Sequence, residues 1–597
     1  MRRAGRGPIP RMVLGRVLAR PHGQGYNANT TTAIAVGSAG SPASGPRPST
    51  MQDWTTHEVD NVVDPVPEHN LFDADEALRE AVLREGAAWA DDALHGIGAE
   101  LGQAGQAELA RQANAHPPEL RAYDAQGRRV DRVEFHPAWH ELMRGIWRRG
   151  LHCSPWLQAR PGAFVARAAA FMLQGQVEAG TLCPTTMTFA AVPLLRAEPQ
   201  LWQALREPLL SAEYDPADAP LQAKRGMLVG MGLTEKQGGS DLRGLSTQAQ
   251  ALEAPGRGRA YALRGHKWFF SVPQSDAHLV LAREAQAAPS CFYVPRWTPE
   301  GRRNGLRLRR LKDKLGNRSN ASAEVEFEDA WGLMIGEPGR GIATLLRMAH
   351  HTRMDNVLGS AALLRAGLVA ALHHARRRRA FGQVLQAHPA MQAVLVDLML
   401  ESEAATALAM RLAAAFEGAE ADPLAAALQR ILTPAAKFWV CKRTVQALAE
   451  CMEVLGGNGY VEESVLPRLL REAPVNSIWE GSGNVVALDV LRGLRVEPQA
   501  AAALREWLGS SGALPRQCLR DFDLLCAQAL HDASLARQLA QQLVLLVQAA
   551  LLGAHAPQAV ADAFVDTRLR GAGGRVFGVG VPVAHAEALL RRAWPVD

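Results

Sequence analysis

Residues 474–484 read Pro-Val-Asn-Ser-Ile-Trp-Glu-Gly-Ser-Gly-Asn, and the carboxylate in that run, Glu480, lies between Trp479 and Gly481. A carboxylate flanked by Ile478 and Trp479 loses water, and desolvation raises its pKa toward the range in which it works as a general base. Gly481 and Gly483 let the backbone turn tightly and approach another molecule closely. The plainer reading, an acidic residue at a helix N-terminus, would be the better one for an isolated Trp-Glu-Gly. What favours chemistry is the company this run keeps.

Four other runs precede it. Residues 455–460, Leu-Gly-Gly-Asn-Gly-Tyr, form a loop carrying Gly456 and Gly457. Residues 378–382, Arg-Arg-Ala-Phe-Gly, offer Phe381 and the Arg378 guanidinium, whose fork suits phosphate oxygens. Most of the surrounding arginines, 376–379, read as a solvated helix face. Residues 267–271, Lys-Trp-Phe-Phe-Ser, read either as a core strand or as one presenting Phe269, Phe270 and the Ser271 hydroxyl to a ligand. Residues 231–241 run from Met231 through Leu233, Thr234, Gly238, Gly239 and Ser240 to Asp241. Such a loop is a structural turn, or it brings backbone N–H groups to a planar ring or a phosphate.

Between the runs the periodicity changes twice. Residues 53–228 are helical in character, rich in Ala, Leu and Arg and punctuated by Pro117, Pro137, Pro155 and Pro161. From about 230 to 337 come short alternating segments at 260–264, 277–282, 290–294, 306–311 and 323–327. In the last, Ala323, Val325 and Phe327 alternate with Glu324, Glu326 and Glu328, the period of a half-buried strand. After Pro338, Val357, Ala361, Leu364, Leu368 and Leu372 lay one apolar stripe on a helix. Further helices at 391–416, 423–453 and 482–494 complete a bundle. Five segments follow: 1–50; 51–229, helical; 230–337, an inserted β-domain; 338–496, the bundle; and 497–597, helical to about Asp566 and then Gly-rich from 571 to 580.

Composition excludes several classes. The 597 residues are 48% hydrophobic and 21% charged, ordinary for a soluble protein of several domains. Residues 543–552 are too short and too broken by Gln548 to span a bilayer. The first 50 residues hold seven arginines and no acid, more than the whole net charge of +5, which leaves the remainder near −2. That start reads as disordered, either a transit segment or a stretch ahead of a true beginning at Met51. Seven cysteines without a Cys-x-x-Cys pair argue against a disulfide framework or zinc site and fit a reducing cytoplasm.

In order and spacing the five runs resemble those of the acyl-CoA dehydrogenase superfamily over about residues 53–495. Residues 265–278, 311–321, 433–438 and 476–484 are similar to its AidB-like, alkylation-response branch. The resemblance implies a helical N-terminal domain, a central β-barrel-like domain, a C-terminal four-helix bundle and an extra C-terminal helical domain. It implies FAD, with Glu480 as catalytic base. It places Met231, Leu233, Thr234, Gly239, Ser240, Phe269, Phe270, Ser271, Arg378, Phe381, Gly456, Gly457, Ile478, Trp479, Gly481, Ser482 and Asn484 at the flavin. Two departures stand out: Phe269 where the family has Trp, and Pro389 where many members have Gln. The branch further implies a homotetramer, weak dehydrogenase activity and double-stranded DNA binding through the last domain. There Arg492, Arg516, Arg520 and Arg568 are the candidates, with Arg537 as a further contributor. That region, however, nets only about +1, with nine arginines against eight acids from Ala501 onward. Two functions stay open: a DNA-associated flavoprotein that protects DNA from, or detoxifies, alkylating agents, and a metabolic dehydrogenase of short or branched acyl-CoA.

Overall fold

The structure, a computed structural model, describes residues 56–596, so the Arg-rich start lies outside the described residues. The chain divides into residues 1–60, whose described part contains no helix or strand, and residues 61–597, which form the fold below.

The helical start contains α1 (Glu76–Arg84), α2 (Ala163–Val177) and α3 (Leu182–Arg196). Asp75 caps α1 by accepting from the Leu78 N–H at 3.1 Å. The mostly helical expectation for this stretch did not include a hairpin of β1 (Glu119–Tyr123) and β2 (Arg129–Glu134). Its strands are too short and too charged to show a clear period of two. The turn is set by Asp124, which accepts from the N–H groups of Gln126 and Arg128.

A seven-stranded sheet follows: β3 (Val229–Gly232), β4 (Gln248–Ala251), β5 (Ala260–Ser271), β6 (Ala277–Ala282), β7 (Ser290–Pro295), β8 (Leu306–Leu311) and β9 (Ser322–Ile335). Strand order is β3-β6-β7-β9-β5-β4, with β8 also on β9; only β3–β6 is parallel. Tyr261, Phe270, Phe292 and Phe327 fill its separate core. Phe270 is therefore corrected from a cofactor contact to a core residue, fully buried and stacked on His278 at 3.8 Å. A bulge between Lys267 and Phe270 sets the facing, leaving Phe269 53% exposed.

The bundle is built on α4 (Gly341–Arg377), which leads into a small hairpin of β10 (Arg379–Ala380) and β11 (Gln383–Val384). It continues with α5 (Pro389–Gly418), α6 (Thr433–Val454), α7 (Val465–Asn476) and α8 (Gly483–Val496). Pro389 opens α5, where a missing N–H costs nothing. The sequence reading left α7 unassigned. Helices α4 and α6 run parallel: Cys441 contacts the Asn356 carbonyl, Thr444 donates to Ser360 O at 3.1 Å, and Gly367 faces Leu448 and Cys451. A Cβ on Gly367 would come within 2.5 Å of Leu448 Cδ2, so any larger residue at this point of the seam requires the leucine side chain to move. Helix α4 and the stretch 533–555 are long and apolar enough to cross a membrane, but 89% and 72% of their apolar windows are buried inside the protein. Both are core helices here.

The last hundred residues pack α9 (Ala536–His555) and α10 (Ala586–Ala593) on the bundle. Here Arg568 is corrected from a DNA candidate to an internal tie: it pairs with Asp397 and Glu401 of α5 and is only 11% exposed. Arg592 likewise joins α10 to Glu76 and Glu80 of the α1 helix and to Glu403 of α5. Beside it Trp594 is fully buried, edge-on to His69 and His373. Trp594→Ala is expected to cost about 3–5 kcal/mol in denaturant unfolding, the usual range for emptying a buried aromatic site; an unchanged midpoint would remove this tail from the core.

Candidate functional site

Glu480 ends the turn between α7 and α8 and adopts φ 58°, a left-handed conformation uncommon outside glycine. Three side chains hold it there. Thr352 Oγ1 donates to Glu480 Oε2 at 2.8 Å, Arg353 Nε donates to Glu480 O at 3.0 Å, and Lys437 Nζ donates to Gly481 O at 2.8 Å. Arg353 is itself fixed by Asp489, which also pairs with Arg430. Arg430 lies in a π-helical turn, Leu428–Leu432, that leads into α6. Of these supporting residues only Lys437 lies in a run singled out from the sequence, 433–438, and no role attaches to it there. Their spacing only becomes meaningful once α4 and α6 lie side by side.

Burial pushes the Glu480 carboxyl above its ordinary range, and the Thr352 hydroxyl and the Lys437 and Arg353 charges oppose that rise without cancelling it. Burial also draws the Lys437 ammonium down to about 8. A raised carboxyl beside fixed donors is what a general base working near neutrality requires.

From the opposite side, Cys183 at the start of α3 faces the side chains of Ser271 and Asn320 and feels the charges of Lys314 and Glu480. This thiol connects the end of β5 to the glutamate turn, and burial pushes it up to about 12, so it is no nucleophile. Val272, just after Ser271, has φ 52°, an outlier for a β-branched residue at a site edge.

The 231–241 loop is anchored to β5 through Glu235 and Lys267, a buried pair at 2.8 Å. Burial alone would raise Glu235. Lys267 and the Thr247 and Ser246 donors outweigh it and hold the carboxyl well below the usual range. The Trp268 N–H donates to Thr234 O, and a Cβ on Gly239 would meet Thr234 Oγ1 at 2.5 Å, so the loop closes on itself. Met231, Leu233 and Thr234 are half-buried there, while Gly239 and Ser240 are exposed.

The other two runs lie elsewhere. Arg378 and Phe381 follow the far end of α4, and Gly456 and Gly457 follow the far end of α6. At about 1.5 Å per residue, α4 carries Arg377 roughly 37 Å from Thr352, and α6 carries Val454 roughly 25 Å from Lys437. Since the helices are parallel, both runs share the end opposite Glu480. Arg378 bonds the Asn61 carbonyl, and Phe381 stands 96% exposed at φ 50°. Within one chain, the five runs form two half-sites.

The Glu480 half fits a flavin. The Trp479 indole N–H is buried without a partner, Ile478 two residues before the pinned carboxylate is 63% exposed, and Phe269 on β5 is 53% exposed. Ser482 and Asn484 are exposed at the start of α8, with Ser482 making no side-chain cap. In the far half, a Cβ on Gly456 or Gly457 would meet nothing within 4 Å, so that backbone is open to approach. No group of three or more His, Cys, Asp or Glu side chains suited to a metal occurs among the described residues. All seven cysteines are free. Of the basic candidates, Arg492, Arg516 and Arg520 are exposed and in no ion pair among the described residues.

Next to the site, Glu472 of α7 accepts from the Asn317 N–H at 2.7 Å. Burial and the nearby Glu178 push its carboxyl up to about 7. The folded chain thus holds a proton that the unfolded chain releases near pH 4.5. Its contribution to stability is complete below pH 4.5 and is lost as pH rises to about 7. Glu472→Gln is expected to lose less stability than wild type between pH 5 and 8, by roughly 3 kcal/mol at 1.36 kcal/mol per unit. Parallel curves in chemical denaturation would refute the assignment.

Three family models match the chain: the adaptive response protein AidB N-terminal domain over residues 61–216, and the acyl-CoA dehydrogenase middle and C-terminal domains over 230–330 and 339–495. AidB of Escherichia coli K12 is 51% identical over 524 residues, 87% of this chain and 96% of that protein. The structure of Caenorhabditis elegans ACDH-11 in complex with C11-CoA superposes with a TM-score of 0.77 at 25% identity, covering 90% of this chain and 93% of that one. A Bacillus anthracis acyl-CoA dehydrogenase complexed with FAD shares the fold, with a TM-score of 0.57 at 18% identity over 76% of this chain and 81% of that one. The chain belongs to the acyl-CoA dehydrogenase family of FAD-dependent oxidoreductases, and within it to the AidB branch.

Proposed function

We propose that this protein oxidises the Cα–Cβ bond of an acyl-CoA thioester, with Glu480 as the base. The observation that carries the reading is the desolvated Glu480 carboxyl, pinned by Thr352 on a backbone that Arg353 and Lys437 hold in a left-handed turn. When bound, FAD supplies the acceptor for the hydride leaving Cβ. Glu480 takes the α-proton, and its raised proton affinity makes it a stronger base than an exposed carboxylate. Activity is expected to rise with pH as the carboxyl ionises. Ile478 and Trp479, adjoining it in the chain, present apolar surface beside it. The C11-CoA carried by the C. elegans relative supports an acyl-CoA ligand of medium length; a short or branched chain remains the alternative within the same chemistry.

The two half-sites support a homo-oligomer, in keeping with the tetramer that the family resemblance implies. A second copy in opposite orientation brings its Arg378, Phe381, Gly456 and Gly457 to this chain's Glu480 end. Phe381, a 96% exposed aromatic on strained backbone, gains a buried place in such an assembly.

A second reading, association with double-stranded DNA in an alkylation response, draws on the 51% identity to E. coli AidB and on three exposed, unpaired arginines. Arg568 contributes nothing to it. Phosphate binding by arginine shows itself as salt dependence.

Glu480→Gln is expected to retain FAD and to lower acyl-CoA oxidation by at least about 100-fold in a dye-reduction assay, since the amide cannot take a proton; turnover within a few-fold of wild type would exclude Glu480 as base. For the second reading, replacing Arg492, Arg516 and Arg520 together by Ala should weaken duplex binding and flatten its log-salt slope by about 3, one per lost phosphate contact. An unaltered slope would place any DNA surface elsewhere.

A further inference from the structure

The region after residue 495 lies outside the matched acyl-CoA dehydrogenase domains, yet one of its side chains reaches the glutamate turn. Arg537, the second residue of α9, donates from Nη1 to Asn484 Oδ1 at 2.9 Å. Its guanidinium stands 5.2 Å over the ring of Phe438, and the Lys442 ammonium stands 5.8 Å from the same ring. Lys442 also lies against Gly483, where a Cβ would meet its Cε at 2.9 Å and Nζ at 3.2 Å. Two cations from different parts of the chain thus flank residues 482–484, four residues or fewer beyond Glu480. Neither is in an ion pair among the described residues. Among the described residues, one of the five guanidinium N–H donors of Arg537 has an acceptor, Asn484 Oδ1.

Like charges gathered without a carboxylate cost energy in the empty protein, and an anion relieves that cost. The contact with the Phe438 ring and the bond to Asn484 hold the guanidinium at residues 482–484, and a guanidinium fork suits phosphate oxygens. Ser482 and Asn484 are the residues that the cofactor reading assigns to FAD. We propose that Arg537, together with Lys442, completes a diphosphate subsite for FAD at residues 482–484, so that the C-terminal helical region is part of the cofactor site. This rests on the FAD reading above. It makes Arg537 a binding residue that the acyl-CoA dehydrogenase domains do not themselves contain. It also gives the near-neutral C-terminal region a task that needs one placed arginine and no basic surface.

The test is FAD retention by the full-length flavoprotein, followed by flavin fluorescence on dilution at stepped salt, for wild type, Arg537→Ala and Arg537→Lys. Arg537→Ala is expected to weaken FAD about tenfold and to flatten the salt dependence, with Arg537→Lys recovering part of both. The thermal midpoint of the flavin-free protein should be the same in all three, because Arg537 is exposed. Equal FAD affinity and salt dependence in Arg537→Ala and wild type would overturn the proposal. A diphosphate also occurs in coenzyme A, so acyl-CoA affinity is measured on the FAD-loaded proteins. Weakened acyl-CoA binding with unchanged FAD retention would assign the subsite to the thioester and equally overturn it. A wild-type protein that takes up no FAD would defeat the cofactor reading itself, a result distinct from both.

Discussion

Everything at the site depends on the parallel contact between α4 and α6. Close approach at Gly367 brings Thr352 and Arg353 of one helix level with Lys437 of the other, and these three donors then hold one turn of backbone. Glu480 is left-handed because its carbonyl and that of Gly481 are each taken by a cation, and the strain is repaid by those bonds. The same geometry desolvates the carboxyl and so sets its chemistry. A residue whose conformation and proton affinity have one cause is hard to change in one respect alone.

The parallel arrangement has a second consequence. Helices that begin together also end together, so the Arg378–Phe381 hairpin and the Gly456–Gly457 loop share the far end of the bundle. The glutamate turn is left with a desolvated carboxyl, the apolar side chains of Ile478 and Trp479, and the start of α8. Sequence spacing alone presents five runs as one constellation; the bundle divides them by roughly 25–37 Å at 1.5 Å per residue. On that division rests the proposal that an exposed aromatic and an arginine far from Glu480 belong to a site shared between copies.

Much of the fold was legible in the sequence because its signals are local. Strands β6 and β8 coincide with the alternating segments 277–282 and 306–311, and the apolar stripe from Val357 to Leu372 lies on α4. The β1–β2 hairpin was missed because charged residues mask so short a period. Phe270 was misread because a bulge, invisible in the letters, decides which of two adjacent phenylalanines faces the core. Glu480 was legible through its run of neighbours. Thr352, Arg353 and Asp489 were not, since each is an ordinary helical residue until tertiary packing brings them together, and Lys437 stood in the run 433–438 without a role. Arg568 shows the converse: an arginine with a surface look proves to be an internal tie, because its carboxylate partners lie about 170 positions away.

The most direct measurement is complementation between two inactive variants, Glu480→Gln and Arg378→Ala, co-expressed with different tags and purified as the mixed oligomer. If each site takes its base from one copy and its far half from another, mixed oligomers contain sites in which both contributions are wild type. Acyl-CoA oxidation then returns to a substantial fraction of the wild-type rate although neither parent is active. If all five runs served one cofactor within one chain, every site in the mixture would carry one lesion, and the mixed oligomer would stay as inactive as its parents.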